Sequence, residues 1–204
     1  MIYPQEYGIR SDITSQFDII GDNHICKTLL TRFGPAILYG TIIASNVVEG
    51  GGLRIKCCEH QILKHITGAK RIVEIGTKFG VGSTFLAHNS DHLTTIDIIP
   101  RTEPIAIWDY FGVNKKITYA VIESDKEKRE YLDGLDFDLA VIDGDHTPEG
   151  VKSDFESVMR CGRVLFHEYI LNNNAKFGPT IDFLKTLPQD EITYDEPFAY
   201  WEKR

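Results

Sequence analysis

A glycine-rich stretch after a short apolar run carries the strongest chemical signal in the sequence. Residues 73–84 read VEIGTKFGVGST, which indicates a strand that enters a tight turn and continues into a helix. In an open parallel sheet, ligands bind at the carboxyl ends of the strands, and the first turn is the usual place. Gly76 and Gly80 have no Cβ, so the backbone can pass close to a ligand there. The stretch therefore predicts a ligand-binding loop.

The spacing of the glycines separates two classes of ligand. A dinucleotide fingerprint reads G-x-G-x-x-G, with the pyrophosphate at the helix N-terminus. From Gly76 the spacing here is G-x-x-x-G-x-G, and the acidic Glu74 precedes it at the end of the strand. This spacing argues against an NAD-dependent oxidoreductase. A glycine loop by itself is also compatible with a purely structural strand-to-helix turn.

Polar residues follow the next two predicted strands. Asp97 ends the second strand, 21 residues after Gly76, where an acid can accept hydrogen bonds from both ribose hydroxyls of a nucleoside. The structural alternative is an aspartate that only ends a strand. Ser124 and Asp125 follow the third strand and are further candidates for contact with a bound ligand.

The fourth predicted strand leads into two aspartates and a histidine. Residues 137–146 read FDLAVIDGDH, which brings Asp143, Asp145 and His146 to the end of that strand. His146 is a candidate general base because imidazole titrates near neutrality. The alternative is that His146 orders the loop before the next helix through hydrogen bonds.

Taken together, these motifs resemble those of class I methyltransferases that use S-adenosylmethionine (SAM). The first motif of that family reads E/D-x-G-x-x-x-G, and residues 137–146 resemble the F-D-x-x-x-I-D-G-D-H segment of a branch of small O-methyltransferase-like proteins. The resemblance covers about residues 60–204. It implies methyl transfer from SAM, with oxygen of a small molecule or sugar as the acceptor. The main alternative is a protein that binds SAM without transferring the methyl group.

The resemblance also implies roles for individual residues. His146 and Asp143 are the catalytic candidates, and Ser124 and Asp125 match the place where these enzymes contact adenine. The residues expected to bind the cofactor are Glu74, Gly76, Thr77, Gly80, Ser83, Asp97, Ser124, Asp125 and Asp143.

A divalent metal is the competing route to activation of the acceptor. In related catechol-type O-methyltransferases, an acid after the fourth strand and an acid–amide pair after the fifth strand hold the ion. The matching positions are Asp143, Glu168 and Tyr169, and His167 offers another type of ligand. Such a set would suit Mg²⁺, or Mn²⁺ with the histidine. Because Tyr169 stands where the pattern has an amide, we favour a reaction without metal.

The elements around these motifs predict an α/β fold. Short β-branched runs alternate with helical patterns, as in a doubly wound, mostly parallel Rossmann-like sheet. The last two of seven predicted strands are so close together that they should pair antiparallel. The predicted strands are Arg71–Ile75, Leu93–Ile98, Ile117–Ile122, Phe137–Ile142, Arg163–Phe166, Ile192–Tyr194 and Phe198–Trp201.

The clearest helix is predicted over Pro148–Arg160. Thr147 can cap its N-terminus, proline suits its first position, and the apolar residues form one stripe. Glycines at 50–52 mark a break in the chain. We therefore expect a helical cap over the acceptor in residues 1–56 and the SAM-binding domain in residues 57–204.

Composition limits the partners and the compartment. The 204 residues carry a formal net charge of −8, which makes a nucleic-acid partner a poor first guess. The sequence shows no secretory signal and no apolar run long enough to span a membrane. Its four cysteines lack the spacing of a zinc site, and reduced thiols are typical of the cytoplasm. We expect a cytoplasmic enzyme with a small-molecule acceptor, and the sequence allows a homodimer.

Overall fold

The computed structural model describes residues 64–167, 174–195 and 198–204. The chain divides into two units, Met1–His60 and Gln61–Arg204, and all elements described below belong to the second. The predicted N-terminal cap lies outside the described residues. The predicted domain boundary after Lys56 stays a prediction.

Seven strands form one mixed sheet in the order β3-β2-β1-β4-β5-β7-β6. Strands β1 to β5 pair in parallel, and β7 pairs antiparallel with both β5 and β6. The prediction of a Rossmann-like, mostly parallel sheet with a C-terminal antiparallel pair is therefore confirmed. The strands are β1 Arg71–Ile75, β2 His92–Asp97, β3 Ile117–Val121, β4 Leu139–Ile142, β5 Arg163–Phe166, β6 Ile192–Asp195 and β7 Phe198–Glu202.

Five helices accompany these strands in the described part of the chain. They are α1 Val81–His88, α2 Glu103–Tyr110, α3 Asp125–Asp133, α4 Pro148–Val158 and α5 Asn174–Leu184. Helix α4 begins as predicted, because the Thr147 side chain accepts a hydrogen bond from the Gly150 N–H. It ends two residues before the predicted Arg160, since a 3-10 turn over Met159–Cys161 follows it. Among the described helices, none is long and apolar enough to cross a membrane.

The core lies between β4, β5 and the apolar stripe of α4. All four residues of β4 are buried, as are Val151 and Phe155 of α4. The Phe155 ring stacks on Phe166 and meets Trp201 edge to face. Each large apolar side chain that is fully buried contributes about 1.5–3 kcal/mol. This packing keeps the strands, and hence the loops that follow them, in fixed positions.

The strand register brings the ends of the parallel strands to one edge of the sheet. Ile75 pairs with Ile142, and Ile142 pairs with Phe166. On the other side of β1, Ile75 pairs with Ile96. The residues that follow these positions form the edge where parallel sheets bind ligands. We call this edge, with its loops, the carboxyl edge.

Candidate functional site

The glycine loop between β1 and α1 is held by the carboxylate at the end of β2. Asp97 Oδ2 accepts backbone hydrogen bonds from Thr77 N–H at 3.1 Å and from Lys78 N–H at 2.7 Å. Its other oxygen, Oδ1, accepts the Ile99 N–H at 3.0 Å. Lys78 has a φ of 48°, which costs a residue other than glycine about 1–2 kcal/mol. Asp97 therefore joins the glycine loop to the loop after β2 and fixes a strained backbone there.

Glu74 lies behind the glycine loop and is 4% exposed. Ser83 Oγ and Thr95 Oγ1 both donate hydrogen bonds to its carboxyl group, and Thr95 Oγ1 lies 2.7 Å from Thr77 Oγ1. Burial raises the pKa of Glu74 to about 8, because the charged form is removed from water, while the two hydroxyl donors act in the opposite direction. Direct contact between Glu74 and a cofactor stays a prediction, and this geometry favours a supporting role.

Gly76 and Gly80 were predicted to let a ligand pass close to the backbone, but protein atoms occupy the space beside both of them. A Cβ on Gly76 would collide with the backbone carbonyl of Asp143. A Cβ on Gly80 would lie 2.8 Å from Trp108 Nε1 and 2.7 Å from Pro104 Cβ. Both glycines also have positive φ, 101° and 75°. The structure therefore explains these two glycines by chain packing and backbone conformation, and a further role in ligand approach stays a prediction.

Ser124 and Asp125 begin helix α3. Ser124 Oγ accepts the Glu127 N–H and donates to the Glu127 carboxylate at 2.8 Å, so Ser124 caps the N-terminus of the helix. The Asp125 side chain is 63% exposed and forms an ion pair with Lys128 at 2.8 Å. Hydrogen bonding by Lys128 lowers the pKa of Asp125. Both side chains thus have helix-capping or surface partners, and their contact with a nucleobase remains a prediction.

At the carboxyl ends of β4 and β5, Asp143 pairs with His167. His167 Nδ1 donates to Asp143 Oδ1 over 2.9 Å, and the histidine side chain is only 9% exposed. His146 Nε2 lies 3.9 Å from the same oxygen, and its side chain is 28% exposed. The His167 ring also packs against Phe198, with centroids 5.1 Å apart. The structure therefore gathers one carboxylate and two imidazoles at this edge, with the buried imidazole bonded and the other more open to solvent.

The metal candidates come together only in part. Asp143 and His167 are in contact, whereas Glu168 and Tyr169 lie outside the described residues. Within the ranges that the structure describes, no group of three or more His, Cys, Asp or Glu side chains could hold a metal ion. The described residues therefore do not by themselves form a metal site.

Two features of the edge have no counterpart in the sequence prediction. Ile98, next to Asp97, is 65% exposed although it is large and apolar. The sequence does show an isoleucine directly after the candidate ribose acid, but the prediction placed Ile98 in the second strand and did not consider a contact with the ligand. The hydrogen bond between Asp143 and His167 was not foreseen, because it depends on the register between β4 and β5.

Part of the chain matches a known protein family. Residues 73–169 match a family described as "Methyltransferase domain". The chain is therefore similar to methyltransferases over these residues. The match runs from β1 to the end of β5 and includes the glycine loop, Asp97, Asp143 and His167. It confirms the prediction of a methyltransferase enzyme. No curated protein matches the chain.

Several solved structures share the fold of this chain. The O-methyltransferase TomG of Streptomyces achromogenes, involved in tomaymycin synthesis and solved with SAM, is 17% identical, with a TM-score of 0.61 over 100% of both chains. An O-methyltransferase of Bacillus cereus, solved with SAH (S-adenosylhomocysteine), is 15% identical, with a TM-score of 0.62 over 94% of this chain and 96% of that one. Precorrin 8w decarboxylase from Methanobacterium thermoautotrophicum is 19% identical, with a TM-score of 0.52 over 74% and 91%. At such identities the similarity shows the fold.

Proposed function

We propose that this methyltransferase uses SAM and transfers its methyl group to an oxygen atom of a small molecule or sugar. The observation that carries the proposal is the family match over residues 73–169. Two O-methyltransferases of the same fold were solved with SAM or SAH, which favours the same cofactor here. The net charge of −8 favours a small acceptor over a nucleic acid.

The residues at the carboxyl edge fit the nucleoside part of SAM. Asp97 is a partly buried carboxylate beside the glycine loop, and carboxylates accept hydrogen bonds from hydroxyl groups. Ile98, 65% exposed, provides an apolar surface next to this carboxylate on which a nucleobase can pack. We propose that Asp97 binds the ribose and that Ile98 packs against the adenine. The other predicted cofactor residues, including Ser124 and Asp125, remain proposed contacts of SAM.

The reaction needs an acceptor oxygen that loses its proton. When bound, SAM supplies an electrophilic methyl group on a sulfonium, and the protein has to hold an acceptor in line with it. We propose that His146 removes the proton from the acceptor, because it is the more exposed of the two imidazoles beside Asp143. Asp143 would keep His167 in one orientation through their hydrogen bond, and so shape the floor of the acceptor site.

The choice of acceptor is also part of the proposal. We propose that residues 1–56 and the loops after β4 and β5 select it, because loops and covering segments vary on a fixed scaffold. The predicted domain division, 1–56 and 57–204, belongs to this proposal.

Thermal unfolding and product analysis test the proposal separately. SAM and SAH, but not NAD, should raise the unfolding temperature, since a ligand at about one hundred times its dissociation constant stabilises by roughly 2.7 kcal/mol. The full chain is then incubated with SAM and with sugar, catechol and other hydroxyl acceptors, and SAH is quantified. Steady formation of SAH with one acceptor class supports methyl transfer.

Two outcomes would count against the proposal in different ways. A thermal shift with NAD alone would exclude the proposed cofactor. Binding of SAM without formation of SAH across the whole acceptor panel would favour the alternative of a protein that binds SAM without transferring its methyl group.

A further inference from the structure

Trp108 anchors the glycine loop from a helix that lies outside it. The indole Nε1 donates to the Gly80 carbonyl oxygen over 2.9 Å, and the side chain is 1% exposed. The same carbonyl accepts the N–H of Thr84 at 3.1 Å and its hydroxyl at 2.8 Å. Both of those donors belong to α1, the helix that the loop begins, whereas Trp108 belongs to α2. The indole therefore provides the connection between this carbonyl and a separate element.

Tyr119 of β3 extends this connection to the loop after β2. Its ring meets Trp108 edge to face, with centroids 5.7 Å apart and an interplanar angle of 80°. Its hydroxyl donates to the Ile99 carbonyl oxygen at 3.0 Å. We call Trp108 and Tyr119 together the aromatic brace. The brace contacts the glycine loop at Gly80 and the loop after β2 at Ile99.

The brace bonds to the backbone of both loops that flank the candidate ribose acid. Asp97 bonds to the glycine loop through Thr77 and Lys78, and to the loop after β2 through Ile99. Trp108 and Tyr119 fix the same two loops at other points. The absent Cβ of Gly80 is what allows the indole to approach so closely.

We propose that Trp108 is a positioning residue for the cofactor. Through the aromatic brace it holds the glycine loop at a fixed distance from the loop after β2, and so sets the affinity for SAM without touching the reacting atoms. A site held in its binding geometry loses less conformational freedom when the ligand binds. The inference rests on the proposed function, because it requires SAM to bind between these two loops.

The chain offers a matched control for Trp108. Its other tryptophan, Trp201 of β7, is 3% exposed and donates through Nε1 to Glu191 at 2.8 Å. Trp201 packs against Phe155 rather than against the brace. Trp108→Phe and Trp201→Phe therefore each remove one indole N–H donor. The first lies beside the candidate cofactor site, and the second lies in the C-terminal strand pair.

Calorimetry with SAM and steady-state kinetics form the first test. Trp108→Phe should weaken SAM binding by about three- to tenfold, the effect of losing one neutral hydrogen bond. The KM for SAM should rise, while kcat at saturating SAM is retained. Tyr119→Phe should weaken binding in the same direction, and it carries the test if Trp108→Phe does not fold. Trp201→Phe should bind SAM as the wild type does.

Tryptophan fluorescence gives a second readout that needs no turnover. Because the sequence holds two tryptophans, Trp108 is the sole tryptophan in Trp201→Phe, and its emission under excitation selective for tryptophan should change when SAM is added. The emission of Trp201 in Trp108→Phe should not change.

Two results overturn the inference while leaving the proposed function intact. One is wild-type SAM affinity in the folded Trp108→Phe and Tyr119→Phe variants. The other is a fluorescence response to SAM from Trp201 and none from Trp108. Failure of the wild-type protein to bind SAM would instead contradict the proposed function itself.

Discussion

Asp143 and His167 are hydrogen-bonded to each other across the ends of β4 and β5, with Oδ1 and Nδ1 2.9 Å apart. His146, three residues after Asp143, lies farther from the same oxygen, at 3.9 Å. Each imidazole at this edge therefore has a different environment. His167 is buried and constrained, whereas His146 is more accessible to an acceptor.

Substitution of His146 tests which group removes the proton. His146→Ala should lower turnover by about 10²–10⁴-fold and leave SAM affinity nearly unchanged, as expected for a general base. Wild-type turnover should then survive a chelator. The measurement is turnover of wild type, His146→Ala and Glu168→Gln, each with and without chelator. Chelator-sensitive wild-type activity that returns with Mg²⁺ or Mn²⁺, together with a near-normal His146→Ala enzyme, would indicate a metal-assisted reaction.

Asp97→Ala should weaken SAM binding by about ten- to a hundredfold, because it removes charge-assisted hydrogen bonds. It also deprives the N–H groups of Thr77, Lys78 and Ile99 of their acceptor, so the unfolding temperature should fall. Asp91→Ala is the control, since this exposed aspartate precedes the opposite end of β2. Calorimetry on folded protein measures both affinities. Equal affinities in the two variants would show that the ribose binds elsewhere.

Gly80→Ala should destabilise the protein more than Gly112→Ala does. Both glycines have positive φ, 75° and 70°, but no atom of the described residues lies within 4 Å of a Cβ at Gly112, whereas Trp108 and Pro104 lie within 3 Å of one at Gly80. Gly112→Ala should cost about 1–2 kcal/mol for its backbone conformation alone. Overpacking should add about 1–3 kcal/mol at Gly80.

Urea unfolding of the two alanine variants measures this difference. The larger Gly80→Val change should weaken SAM binding as well, because it displaces the loop. Equal losses of stability in Gly80→Ala and Gly112→Ala would mean that the contact with Trp108 is easily relieved.

Glu74 should make the protein less stable as the pH rises. Its pKa is raised from 4.5 to about 8 in the folded state, so the folded state binds the proton more tightly than the unfolded chain does. The contribution of Glu74 to stability is therefore fully present below about pH 4.5 and is lost progressively up to about pH 8. In Glu74→Gln this dependence should disappear.

The measurement is the free energy of unfolding at about pH 5 and about pH 8. Glu123→Gln is the control, because Glu123 is an exposed acid after β3 and its substitution should leave the dependence unchanged. A difference between wild type and Glu74→Gln that is the same at both pH values would mean that Glu74 titrates normally.

Several elements could be predicted from the sequence because local signals agree with the fold. The bounds of β1 and β5 match the prediction, since each is a short, mainly apolar run beside a glycine, Gly76 after β1 and Gly162 before β5. Strand β4 begins at Leu139 and not at the predicted Phe137. Asp138 donates one backbone hydrogen bond to the Arg71 carbonyl oxygen, and its carboxylate accepts the N–H groups of Lys70 and Arg71, so a side chain supplies most of the bonds between this residue and the start of β1.

Contacts between distant segments could not be predicted in the same way. The sequence placed Asp143 and His167 at the ends of two strands, but their hydrogen bond requires the pairing of Ile142 with Phe166. The bond from Trp108 to Gly80 spans 28 positions and has no local pattern. The cap at Ser124 is different, because Ser124 and Glu127 have the spacing of a capping box. That local signal favours a helix start over an adenine contact.

The three hydrogen bonds that Asp97 accepts join two loops at the proposed ribose acid. A carboxylate offers about four lone-pair positions, and the N–H groups of Thr77, Lys78 and Ile99 occupy three of them. Oδ1 accepts only one of these three bonds, so it is the oxygen with room for a ribose hydroxyl under the proposed function. Under the proposed function, the carboxylate that positions both loops is also the one that binds the nucleoside, so the order of these loops and the affinity for the ligand depend on a single side chain.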